Sequence, residues 1–88
     1  MQEQVFPLYR RYSGTQTWFE VLSPSVFREL KIMPHGFSFS HFEARILPDR
    51  NYLHDLITLS QPGIVAVDVT EFLQALSHAK SHLKEIKI

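Results

Sequence analysis

The chain has 88 residues, 44% of them hydrophobic and 20% charged, a composition that excludes intrinsic disorder and predicts a single domain over residues 1–88. Nine basic residues balance nine acidic ones, so there is no net charge to attract nucleic acid or an anionic membrane over long range. The sequence contains no cysteine, which excludes disulfides, thiolate metal sites and a cysteine nucleophile.

The chain also lacks the sequence features of membrane insertion and export. No apolar run approaches the ~20 residues that span a bilayer, and residues 1–5 are polar, without the apolar core of a signal peptide. We therefore expect a cytoplasmic protein with no membrane partner.

The first predicted elements are two strands, residues 5–12 and 15–23, joined as a hairpin. Ser13 and Gly14 stand between them, and glycine supplies the positive φ that a two-residue hairpin turn needs. That turn would place Tyr9 opposite Trp18 across the two strands.

A helix is predicted next, with Ser23 as its N-cap and Pro24 at its first position. Pro34 would end it. The following segment, residues 37–47, predicts a long strand whose apolar face switches near residues 40–41. Either a β-bulge restores one buried face, or both faces of this strand are partly covered.

Two further helices are predicted in the second half of the chain. The first begins at Pro48 with Asp49 as its expected N-cap, and the second begins at Asp68 and runs to the last residue. Between them, residues 64–67 fit either a short strand or an apolar lead-in. The predicted order is β-β-α-β-α-(β)-α, an α+β fold in which three helices cover one face of a mostly antiparallel sheet of three or four strands.

One spacing resembles a metal site. His78, His82 and Glu85 stand at i, i+4 and i+7, so a continuous helix would bring the three side chains to one side, where they could share an ion. The same spacing also fits an ordinary solvated helix face, and the sequence indicates no fourth ligand.

Two other groups of residues could bind or react. His41, Glu43 and Arg45 alternate along the long strand and would form one polar patch, suited to acid–base chemistry, to a partner, or simply to solvent. Arg10 and Arg11, flanked by Tyr9 and Tyr12, combine phosphate-binding and base-stacking side chains, as a nucleic-acid surface does.

The interface prediction rests on apolar residues that the domain could leave uncovered. The apolar stripe of the last helix commonly means packing on the domain's own sheet. Alternatively, a helix from Asp68 to the last residue would be about 30 Å long, as long as the domain itself, and its end would reach a second subunit. We predict a non-enzymatic protein–protein interaction or oligomerisation module that forms a homodimer. The alternatives are a nucleic-acid-binding domain and a small enzyme or metal-binding protein. No catalytic residue or cofactor is predicted, and the expected interface residues are Phe37, Phe39, Leu83, Ile86 and Ile88.

Overall fold

The computed structural model describes residues 5–86, which form a five-stranded antiparallel sheet with two helices. The strand order in the sheet is β4-β3-β2-β1-β5, so neighbouring strands in the sequence are also neighbours in space except at β5. The elements are β1 (Leu8–Tyr12), β2 (Thr17–Ser23), β3 (Val26–Met33), β4 (Gly36–Glu43), α1 (Leu47–Thr58), β5 (Ile64–Ala66) and α2 (Val69–His82).

Each helix covers a different face of the sheet. Phe19 and its cross-strand neighbours pack against Leu53 and Leu56 of α1, and we call this the α1 face. The adjacent residue Trp18 belongs to the other cluster, built on Phe72 and Ala79 of α2, and we call that side the α2 face. Because successive strand residues point to opposite faces, both faces of the sheet are apolar at its centre.

The α+β class and the mostly antiparallel sheet are confirmed, whereas the predicted numbers of strands and helices and the predicted placement of the helices on one face are wrong. The chain has five strands and two helices rather than three or four strands and three helices. The helices lie on both faces of the sheet instead of one.

The predicted helix after Pro24 is wrong, since that segment is strand β3. Phe27 and Leu30 are three residues apart, a spacing that suits one side of a helix. In the structure they point to opposite faces, where each meets a different helix. Pro24 occupies the turn between β2 and β3, and Pro34 occupies the next turn.

The hairpin prediction is right about the two strands and wrong about their register. The connection runs from residue 13 to residue 16, and Tyr9 lies opposite Glu20, two residues away from the predicted Trp18. For β4, the alternative without a bulge is correct: its pairing with β3 is continuous from Met33↔Gly36 to Val26↔Glu43, and both faces are partly covered.

Helix α2 crosses the sheet from one edge to the other. It follows β5 at one edge, and after His82 the chain pairs with β4 at the opposite edge. Its 14 residues span about 21 Å, which matches the roughly 19 Å of four interstrand spacings. Asp68 caps its start as predicted, accepting a hydrogen bond from the Glu71 amide at 2.8 Å.

The helix does not continue to residue 88. Leu83 is extended, the Phe37 amide donates to the Lys84 carbonyl (3.0 Å), and the Ile86 amide donates to the Phe37 carbonyl (2.7 Å). These bonds add residues 84–86 to the β4 edge as a short parallel segment. In the described part of the chain, no helix is long and apolar enough to cross a membrane.

Candidate functional site

A row of four polar residues crosses the α2 face of the sheet. The strand registers place Tyr9 beside Glu20, Glu20 beside Arg28, and Arg28 beside His41, one residue from each of β1 to β4. We call these four residues the polar row. It brings His41 of the predicted polar patch next to Arg28 and into one row with Glu20, two charged residues that the sequence did not single out.

The charges within the polar row are largely satisfied by one another. The Tyr9 hydroxyl donates to Glu20 Oε2 at 3.2 Å, and Arg28 lies 3.5 Å from Glu20 Oε1. The Arg28 guanidinium also lies over the ring of Phe39, at 5.8 Å from the centroid. Burial, and then the charge of Glu20 and the hydrogen bond to it, raise the pKa of Tyr9 above its ordinary value. A carboxylate held between two donors suits a structural role better than proton transfer.

A shallow depression adjoins the end of this row. It has a volume of about 190 Å³ and is lined by Ser25, Val26, Glu43, Ala44 and Arg45. Small-molecule sites are usually larger, about 300–1,000 Å³. Glu43 lies on the α2 face with His41, and Arg45 lies beyond the strand and pairs with Glu43. The predicted patch of His41, Glu43 and Arg45 therefore exists as an exposed surface at the end of β4.

The main chain of β4 leaves part of the sheet edge open. Phe37 directs both its N–H and its C=O away from β3, toward residues 84–86. Because these groups alternate along a strand, Phe39, His41 and Glu43 direct theirs to the same outer side. Consistent with this alternation, the Ala44 amide points inward and donates to the Ser25 carbonyl at 2.7 Å.

Within residues 5–86, the chain satisfies little of this outer edge. Residues 84–86 bond to it at Phe37, and the Arg45 amide donates to the Glu43 carbonyl at 3.0 Å. In the same range, no main-chain partner reaches the outward groups of Phe39 and His41 or the Glu43 amide. We call the stretch from Phe39 to Glu43 the open edge.

An apolar patch lies beside the open edge on the other side of the sheet. Phe42 is on the α1 face, where it stacks on Phe27 with ring centroids 5.0 Å apart, yet it stays 37% exposed. Ile46 and Leu47, at the start of α1, are 61% and 67% exposed. Three large apolar side chains close together in the chain are therefore accessible where β4 ends.

The four residues of the predicted nucleic-acid surface do not share one patch. Arg10 is buried on the α1 face, where its Nε donates to the Leu56 carbonyl at 2.7 Å. Tyr12 also faces α1 and packs edge-on against Phe19. Tyr9 and Arg11 point to the α2 face.

Both arginine side chains make contacts within the domain. Burial lowers the pKa of Arg10 from its ordinary value, because removal from water disfavours the charged form of the guanidinium. Arg11 lies over the Trp18 ring at 4.8 Å from the centroid and 3.7 Å from Glu71 Oε2. The same carboxylate oxygen accepts from Trp18 Nε1 at 3.0 Å. The Arg10 guanidinium is thus bound to carbonyls of α1, and the Arg11 guanidinium lies beside Trp18 and Glu71.

The predicted metal ligands are only partly brought together. His78 and His82 lie on one side of α2, with ring centroids 4.9 Å apart. Glu85 is off the helix, because α2 ends at His82 and residue 85 pairs with Phe37. Among the described residues, no group of three histidine or acidic side chains is arranged to hold a metal ion.

The predicted interface residues are mostly used inside the domain. Phe37 is buried, and Phe39 and Leu83 pack around the same core under α2. Ile86 is half-buried against Gly36, and Ile88 lies outside the described residues. The helix end therefore does not project as an apolar surface, which removes the physical reason for placing the interface there.

The open edge could not be predicted from the sequence, because it depends on strand order and register. Arg28 is the neighbour of His41, and Glu20 the neighbour of Arg28, because β3 is a strand rather than the predicted helix. The available signal was Phe42, an aromatic residue out of phase with Phe37 and Phe39 in the same segment. Comparisons with models of protein families, with curated proteins and with solved structures gave no match to this chain.

Proposed function

We propose that this chain is a non-enzymatic protein–protein interaction module that binds an extended segment of another polypeptide along the open edge. The observation that carries the proposal is the outward main chain of Phe39, His41 and Glu43 beside the exposed side chain of Phe42. An added strand gains affinity from main-chain hydrogen bonds and specificity from the side chains beside it.

The two edges of the sheet differ in how well they could receive a strand. The β5 edge is three residues long, which is one way in which proteins protect an edge. The open edge continues an eight-residue strand and contains neither proline nor lysine, the residues that commonly block such pairing. A docking segment therefore finds more room and more bonds at β4.

The side chains around the open edge support binding rather than catalysis. Glu20 is held by Tyr9 and Arg28, and Glu43 is paired with Arg45. The adjoining depression is small and exposed, whereas catalytic groups usually work in a site that excludes water. An extended peptide needs no enclosed cavity, because it lies along the surface.

The proposal can be tested with short random peptides displayed on phage and selected for binding to the full chain. His41→Pro removes an outward N–H, so peptides selected by the wild-type chain should lose most of their binding while the fold survives. The matched control is Ala66→Pro at the other edge. Its N–H also points outward, since its neighbour Val67 donates inward to the Tyr9 carbonyl.

Selected peptides should bind the Ala66→Pro chain as they bind the wild type. Equal binding to all three proteins would place the docking surface elsewhere. A failure to select any peptide that the His41→Pro substitution weakens would contradict the proposal. Circular dichroism of both variants checks that each remains folded.

A further inference from the structure

We infer that the strand received at the open edge is β4 of a second copy of this chain, paired antiparallel about a twofold axis that passes through Phe42. This inference rests on the proposed function and adds to it the identity and the register of the partner. Its basis is that the open edge is complementary to itself in main chain, in polar side chains and in apolar surface.

The main chain permits this pairing. His41 and Glu43 both direct their N–H and C=O groups outward, and they stand two residues apart. In an antiparallel pair centred on Phe42, His41 faces Glu43 of the second copy, and each such pair exchanges two hydrogen bonds. The twofold axis repeats the pair, which gives four interchain hydrogen bonds and one continuous ten-stranded sheet. Two of these bonds use the second lone pair of the Glu43 carbonyl, which also accepts from the Arg45 amide.

The polar side chains on the α2 face favour the same register. His41 and Glu43 share this face, so the pairing places an imidazole beside a carboxylate twice. A register shifted by one pair would instead place His41 opposite His41 of the second copy. With nine basic and nine acidic residues, the chain carries no net charge that would oppose its association with itself.

The apolar residues on the α1 face meet at the axis. Phe42 lies opposite Phe42 of the second copy as a non-hydrogen-bonded pair, the type in which side chains approach most closely. Each of these rings already stacks on Phe27 within its own subunit, so the pairing joins two aromatic stacks into one. Ile46 and Leu47, four and five residues further along the chain, are also exposed at the end of β4.

Sedimentation equilibrium of the full chain and three variants tests the register. Wild-type protein should be a reversible dimer. His41→Glu places two carboxylates together twice and should weaken the dimer about two- to thirty-fold, whereas His41→Lys should tighten it by a similar factor. A mixture of His41→Glu and Glu43→Lys chains should form mixed dimers in preference to either homodimer. In the mixed dimer, the introduced glutamate lies opposite the introduced lysine, and the remaining His41 lies opposite the remaining Glu43.

Stability within one subunit separates folding from association. Arg28 is the cross-strand neighbour of His41, so His41→Glu should stabilise the monomer and His41→Lys should destabilise it, opposite to their effects on the dimer. Dimer weakening in His41→Lys would indicate the His41-centred register and overturn the inference. A wild-type chain that stays monomeric would also overturn it, while peptides that bind at the open edge would still support the proposed function.

Discussion

The stability of the domain should depend strongly on Arg10, the buried arginine on the α1 face. The last four carbonyls of a helix have no partner within the helix. In α1, the Arg10 Nε donates to the Leu56 carbonyl at 2.7 Å, and its Nη2 donates to the Ile57 carbonyl at 3.3 Å. The Asp55 carbonyl accepts from the Leu59 amide instead. Arg10 thus completes the helix end and places a positive charge where the helix dipole favours one.

The cost of Arg10→Met follows from these contacts. Hydrogen bonds from a charged donor contribute about 1.5–3 kcal/mol each, the bond to Ile57 is long and only partly buried, and methionine keeps part of the packing of the arginine side chain. We expect a loss of about 3 kcal/mol in the free energy of unfolding. For a domain of this size, that lowers Tm by about 12–24 °C. Arg11→Met is the matched control, because the contacts it loses are only partly buried: the Trp18 ring contributes about 0.5–1 kcal/mol and the Glu71 ion pair about 0.2–1 kcal/mol. Its hydrogen bonds to the Thr15 carbonyl are exposed to water.

Thermal and urea unfolding of the two variants, followed by circular dichroism, measures the difference. Arg10→Met should unfold at a clearly lower temperature and urea concentration than Arg11→Met. Equal destabilisation by the two substitutions would refute the assignment of Arg10 as the group that satisfies the end of α1. Stronger destabilisation by Arg11→Met would reverse the assigned roles of the two residues.

Two other substitutions test the contacts made by α2 and by the segment that follows it. In Gly36→Ala, the added methyl would overlap the Lys84 carbonyl oxygen, so urea unfolding should show a loss of about 1–3 kcal/mol in the free energy of unfolding. The Phe37 amide, which donates to that carbonyl, should exchange its hydrogen faster. An unchanged exchange rate would contradict the placement of residues 84–86. Glu71→Leu removes the acceptor of the buried Trp18 indole and should cost about 1–3 kcal/mol, whereas Glu71→Gln keeps an acceptor and should cost less than about 1 kcal/mol. Unfolding followed by the fluorescence of this single tryptophan compares them, and equal losses would show that the hydrogen bond contributes nothing.

The parts of the fold that follow from local signals were predictable. Asp68 begins α2 as expected, since a capping side chain and the amide three residues later are close in sequence. The apolar stripe of α1 is also confirmed, with Leu53 and Leu56 buried. In both cases the decisive interaction lies within one turn or one helix face, so the residues themselves determine it.

The strand β3 was not predictable in the same way. Simple alternation identifies a strand when one face is buried and the other meets water. Phe27 and Leu30 pack under different helices, so β3 lacks that alternation. The end of α2 was missed for a related reason, since residues 84–86 leave the helix to pair with the distant Phe37. Both outcomes depend on contacts between segments far apart in the sequence.

The candidate site depends on the same long-range contacts. His41, Glu43 and Arg45 were identified from alternation, and they are exposed at the end of β4. They border the open edge because β4 is the outermost strand of the sheet, and only the full strand order identifies β4 as an edge strand. The role of Arg10 could not be read from its neighbours either, because its acceptors lie 46 and 47 residues away.

Hydrogen exchange at the open edge tests the central claim most directly. Amide exchange rates of the full chain, measured by NMR at increasing protein concentration, report which N–H groups become protected on association. Our account predicts that exchange at His41 and Glu43 slows as concentration rises, while exchange at Ala66 on the other edge keeps its rate. Exchange at His41 and Glu43 that stays as fast as at Ala66 at every concentration would contradict the account.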